Sequence, residues 1–226
     1  MRTLDELIVK DSTTWAQLAA LLISRPINQV LEANSGQSFD TLLRLQVTSD
    51  SMMGAVVLHA GGILADHGWF RILGCGSGSD LPSIADANAL DPSADTTPGH
   101  LVVGYDVLGG QFAVDQGGLG IGAGAVCYFG PDSLAWDGLG GGYPAFVQAA
   151  VGGQLGEVFA SLRWPGWEND LANLPLGMSI ASYPPPFSEE GRDLSQTAKN
   201  PVPTSELVDF YATTATRRHQ AQADQD

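Results

Sequence analysis

The chain is short of basic charge, of cysteine and of long apolar runs, and each shortage closes a route. Ten lysines and arginines stand against 25 aspartates and glutamates in 226 residues, a net charge of −15. Such a field repels polyanions, so nucleic acid and anionic membrane surfaces are not expected partners, whereas a basic protein would be steered in. The same charge also serves plain solubility. Two cysteines, Cys75 and Cys127, give neither a disulfide framework nor zinc spacing. No H-x-x-H, C-x-x-C or H-E-x-x-H occurs, so neither a metal nor any other cofactor is expected. Lys10 and Lys199 are the only lysines, and neither stands in a Gly-Lys-Ser/Thr loop. The longest apolar run without glycine is about half a dozen residues, against ~20 for a membrane span. The N-terminus carries acids where a signal peptide needs a basic start. The expectation is a reduced, cytoplasmic protein with no membrane segment.

Glycine and short apolar runs are what the chain does have. Residues 100–129 hold three strand-length runs, Leu101–Asp106, Gln111–Asp115 and Ala125–Phe129, separated by glycine. Phe112 and Val114 fall on one face, Gln111 and Asp115 on the other, the period of a half-buried strand. Val107-Leu108-Gly109-Gly110 suits a tight hairpin. The expected fold class is α+β, a mostly antiparallel meander of short strands flanked by helices.

Other segments fill in around this core. Thr14 and Gln17 suit a capping box for a helix over 12–24, with Trp15, Leu18, Ala19 and Leu22 as its stripe. Residues 27–32 suggest a second helix, and 39–47 suit either helix or strand. Ser49-Asp50-Ser51 suits an N-cap region for a helix over 52–59 that Gly61-Gly62 would stop. Ile63–Ala65 and Trp69–Leu73 read as strands joined by the turn Asp66-His67-Gly68. Residues 74–79 and 82–99 read as loop, and Gly138–Gly142 as a glycine-rich turn. Helices are expected over 143–151 and 155–162, an extended polyproline stretch over 183–187, and a helix over 205–218 docked by Leu207, Phe210 and Tyr211. The last eight residues are expected to fray. Residues 1–195 form one domain in this reading, and 196–226 a polar extension.

No motif names a reaction. Gly118, Gly120, Gly122 and Gly124 lead into a strand, so no helix N-terminus follows to hold phosphate. Cys75 has no local base. Asp66 and His67 could orient a ring or hold a metal, or simply make a turn. Asp106 and Asp132 flank the meander, where aspartates could meet as acid and base but mostly make turns. Arg163, Trp164 and Trp167 form the densest aromatic and charged patch, suited either to anchoring an interface or to capping the core. These seven are the candidate binding residues, and none is assigned to catalysis.

Two passages together carry a resemblance. MMGAVVLHAGGILADHGWFRIL at 52–73 and the stretch 109–147, with Gly109-Gly110-x-Phe112-x-x-Asp115 and a later VCYF strand, resemble the SUKH superfamily. That superfamily includes yeast cell-wall-synthesis regulators and many bacterial immunity proteins. Through LHAGGILADHGWFRILGCGS, LVVGYDVLGGQFAVD and SLRWPGWE, residues 1 to about 195 more closely resemble a bacterial family of about this length, known only as a domain of unknown function. The resemblance implies a non-enzymatic protein-binding module, an immunity protein masking a basic toxin domain, with homo-oligomers open. The chain after about residue 160 departs from the compact superfamily pattern. The rival expectation is a small hydrolase or lyase using Asp or His at strand ends.

Overall fold

The computed structural model describes residues 1–78, 80–93 and 98–223. The meander is present and wider than expected. Seven antiparallel strands run in sequence order: β1 (Gln29–Leu31), β2 (Gly62–Ala65), β3 (Phe70–Leu73), β4 (His100–Asp106), β5 (Gln111–Asp115), β6 (Ala125–Phe129) and β7 (Trp136–Gly142). In β3 all four residues of Phe-Arg-Ile-Leu are buried. Side chains alternate across a strand, so a strand buried throughout is covered on both faces. On one face Phe70 and Phe112 meet Phe159, and Phe112 meets Phe146, with ring centroids 4.8–5.9 Å apart. Phe146 belongs to α6 (Tyr143–Gly152), which α7 (Gln154–Val158) follows. Arg71 points to the opposite face, where its Nη1 donates to the carbonyls of Leu176 (2.6 Å) and Met178 (2.5 Å). That face meets a two-stranded ribbon, β8 (Met178–Tyr183) with β9 (Ala198–Pro203), and the long helix α9 (Thr204–Ala223). Phe129 clusters there with Leu134, Leu207, Tyr211 and Ala215.

Helices at the N-terminal side complete the wall: α1 (Leu4–Leu7), α2 (Thr14–Ile23), α3 (Ser35–Leu45) and α4 (Met52–His59). The ambiguous stretch after Asn34 is the helix α3, because the Asn34 side chain accepts from the Gln37 N–H (3.2 Å) and caps it. Ser51 caps α4 by accepting from the Gly54 N–H (3.1 Å). That helix ends where Ala60 turns extended (φ −138°), without the left-handed stop expected at Gly61. Thr14 makes no capping box; its hydroxyl donates to the Asp50 carbonyl (2.8 Å), and Thr13 is the N-cap.

Several expectations are corrected. Residues 27–32 form no helix: Gln29–Leu31 is the edge strand, because pairing with β2 outweighs a short apolar pattern. Gly138–Gly142 is not a turn but most of β7, held by its ladder to β6. The loop at 82–99 holds a short helix, α5 (Ile84–Ala87), capped by Ser83; residues 94–97 of that stretch lie outside those described, as does Ser79 of the preceding loop. The helix over 155–162 splits into α7 and a 3₁₀ turn at Ala160–Leu162, and Val158 is 70% exposed. Helix α9 extends to Ala223, into the segment expected to fray; residues 224–226 lie outside those described. Among the described residues no helix is long and apolar enough to cross a membrane.

Candidate functional site

Three connections meet at one end of the sheet, and each carries an aspartate: Asp66 between β2 and β3, Asp106 at the β4–β5 turn, and Asp132 between β6 and β7. The pairings Ala65 with Phe70, Phe70 with Asp106, and Gln111 with Phe129 fix them at that end. The meander alone therefore places these three candidates at one end of the sheet.

Asp66 lies in the tightest of the three turns. Asp66, His67 and Gly68 all take positive φ (54°, 57° and 83°), a left-handed run that Asp and His tolerate better than most residues. The turn is tied to the chain before β1: the Asp66 N–H donates to Asn28 Oδ1 (3.2 Å) and the His67 N–H to the Ile27 carbonyl (3.2 Å). The Asp66 carboxylate pairs with Arg163 Nη2, with both side chains largely covered. The Arg163 guanidinium lies 4.4 Å from the Trp167 ring centre and 5.2 Å from that of Trp69. Trp69 stands edge-on to Trp167 at 5.2 Å, and His67 edge-on to Trp167 at 5.8 Å. Trp164 donates from Nε1 to Asp170 Oδ2 (2.6 Å) and packs 5.8 Å from Trp69. Gly156 of α7 makes room for the pair, since a methyl group there would lie 2.5 Å from Asp66 Oδ2.

The structure thus brings Asp66, His67, Arg163, Trp164 and Trp167 into one cluster and leaves Asp106 and Asp132 in another. Trp164 and Trp167 are buried, so both indoles cap the core; His67 is the exposed member. Helix α8 (Trp167–Leu171) begins at this cluster.

The second cluster is deeper. Asp106 has no solvent exposure; its Oδ1 accepts the N–H groups of Leu108 and Gly110 (both 2.8 Å), and Tyr128 donates its hydroxyl to Oδ2 (2.6 Å). Burial pushes the Asp106 carboxyl up to about 6, against the pull of these donors, with the Asp132 charge adding to the rise. Burial and the Asp106 charge push the Tyr128 hydroxyl well above its ordinary value. Gly110 is required here, because any Cβ would overlap the Tyr128 hydroxyl and the Asp106 carboxylate. Asp132 is exposed and, with Tyr128 and Asp137, lines a cleft of about 210 Å³.

At the far end of the sheet Asp115 closes the glycine-rich loop 116–124. Its two oxygens accept four N–H groups, from Gly117, Leu119, Ile121 and Gly122, at 2.7–3.1 Å. Those bonds, Gly122 and Leu119 foremost, hold its carboxyl down at about 2. The glycines therefore wrap a protein carboxylate. Cys75 and Cys127 are buried free thiols, and His59 stacks on Trp15 at 5.1 Å. Among the described residues no three His, Cys, Asp or Glu side chains converge as a metal site would need.

Sequence reasoning missed Arg71. It is the one charged residue within an otherwise apolar strand, and that oddity was the available signal.

These features define an α+β protein built on a seven-stranded antiparallel sheet with helices against it. The chain belongs to the family described as "Protein of unknown function DUF2625", whose model matches residues 4–207. It is similar to the putative uncharacterized protein YbfG of Escherichia coli, 34% identical over 194 residues, covering 81% of this chain and 85% of that protein. It is also similar to an uncharacterized protein of Haemophilus influenzae, 29% identical over 193 residues and covering 84% of each. No solved structure matches.

Proposed function

We propose that this chain is a non-enzymatic protein-binding module of the cytoplasm whose partner is basic, in the manner of an immunity protein that masks a toxin domain. The observation that carries this reading is the engagement of the turn carboxylates by the fold itself. Asp66 pairs with Arg163, Asp106 is sealed under Tyr128, and Asp115 is surrounded by four N–H groups. A general acid or base must reach its substrate, and these three do not. The chain as a whole carries a net charge of −15, which attracts a basic protein and repels nucleic acid. The SUKH-like pattern of 52–73 and 109–147 supports the same reading. The test is capture with the tagged full chain from its source cells, washed at low and high salt. One stoichiometric basic partner, held at low salt and released at high salt, is the expected result. Absence of any partner in both washes overturns the reading.

One observation favours a second reading, a small hydrolase or lyase. Tyr128, bonded to a carboxyl raised to about 6, opens onto the cleft that Asp132 and Asp137 line. Ligands that raise the melting temperature of the parent but not of Asp132→Asn would favour this reading over the first.

A further inference from the structure

Arg71 is 4% exposed, and none of the ion pairs among the described residues includes it. A buried cation is costly unless it is paired or hydrogen-bonded. Burial pulls its pKa down to about 10, with the Asp106 charge opposing, so the guanidinium stays charged at neutral pH. Nη1 is bound by the two carbonyls of Leu176 and Met178. A guanidinium has further donors on Nε and Nη2. Those meet no protein acceptor among the described residues, yet neither atom is sealed from solvent. Arg71 thus keeps donors that no acceptor among the described residues uses, and it lines two clefts.

The clefts differ in chemistry. One, of about 370 Å³, also holds Asp80 and Asp209, which oppose an anion. The other, of about 550 Å³, lies between β1–β3 and the chain after α8; its walls include Ile27, Leu31, Leu64, Leu171 and Leu174. We propose that this larger cleft binds a small monocarboxylate with an apolar body, its carboxylate on Arg71 and its hydrocarbon against the leucines. The planar guanidinium suits a carboxylate, and a cleft of this volume suits a small ligand. Glu168 also lines this cleft and disfavours a second negative charge there, one acidic group against the two of the smaller cleft. The net charge of −15 opposes all free anions. Affinity therefore comes from burial of the apolar body together with the desolvated ion pair. His67 lines the cleft too, so the site borders the Asp66–Arg163 cluster; octanoate binding and partner capture are measured separately, and either proposal can fail alone.

Calorimetry and thermal melting of the full chain with octanoate, octanamide and inorganic phosphate test this. Octanoate raises the melting temperature in a concentration-dependent way, as a ligand of the native state must; octanamide and phosphate do not. Arg71→Met weakens octanoate binding at least about tenfold, the scale of one lost charge-assisted pair. Leu174→Glu, at a half-buried position of the wall that also packs against the core, removes octanoate binding, and a circular-dichroism spectrum matching the parent's shows that the variant is folded. No shift with octanoate overturns the proposal. So does an equal shift with octanamide, or octanoate binding that survives Leu174→Glu. Should Arg71→Met fail to fold, the Leu174→Glu and octanamide comparisons decide the matter.

Discussion

The β4–β5 turn and the β5–β6 loop use one device in two settings. In each an aspartate at a strand end accepts backbone N–H groups and closes the chain around itself. Asp106 and Asp115 are equally hidden from solvent contact, at 0% and 1% exposure. Their carboxyls nevertheless move in opposite directions, to about 6 and to about 2. The difference is depth. Asp106 lies inside the body, under Tyr128 and close to Tyr211 of α9. Asp115 is wrapped by its own loop, whose residues 116–118 and 120–124 are exposed. A single layer of chain excludes contact with water without removing the screening that water provides. Four donors then outweigh the small burial penalty at Asp115, whereas three donors do not offset the deep burial of Asp106.

The largest effect should come from breaking the deep turn. Asp106→Ala strands two N–H groups and a tyrosine hydroxyl, and we expect a loss of roughly 3 kcal/mol in denaturant unfolding. Asp106→Asn keeps acceptors for the N–H groups and should fall within about 1 kcal/mol of the parent near pH 4, where the native carboxyl is protonated. It should also abolish a pH dependence. A carboxyl raised to about 6 contributes stability that is full below its unfolded value and is lost as pH rises through 6. The parent should therefore lose up to about 3 kcal/mol between roughly pH 4 and 6 from this group, and the Asn variant should not.

The turn at Asp66 lies between these two cases. Arg163→Ala leaves a mostly buried carboxylate unpaired and removes the cation that packs on two indoles. We expect roughly 2 kcal/mol of destabilisation, measured in the same way. Asp115→Asn should have a smaller effect, with the opposite pH signature. A carboxyl held at about 2 contributes stability present above its unfolded value and lost as pH falls through 2. Faster amide exchange at Gly117, Leu119, Ile121 and Gly122, with the rest of the sheet unchanged, is the readout. The smallest change is His67→Gly, which relieves a positive φ and should be neutral or stabilising by less than about 1 kcal/mol; His67→Val should destabilise instead. A His67→Gly protein that folds well but loses its partner would place that exposed imidazole in the binding surface.

The meander could be read from the sequence because short alternating strands separated by glycine advertise themselves, as β4, β5 and β6 do. So could the Asp66-His67-Gly68 turn, whose residue types match a left-handed backbone. The edge strands could not. β7 carries four glycines and β9 two prolines, compositions that argue against strand, and both exist through pairing with a neighbour. The candidate residues were visible singly, but not their partners. Asp66 meets Arg163 across 97 positions, and Tyr128 closes over Asp106 across 22. Such contacts follow from which face each strand presents and which helix lies on it, information no local pattern holds. Arg71 escaped notice because one cation inside an apolar strand gives no spacing to recognise.

The most direct test of the claim that the strand-end carboxylates hold turns is a ¹³C carboxyl NMR titration of Asp106 and Asp115, assigned with the two Asn variants. The account predicts Asp106 near 6 and Asp115 near 2. An Asp106 value at or below that of an ordinary solvated carboxylate would mean that water reaches the deep turn, and would contradict the account.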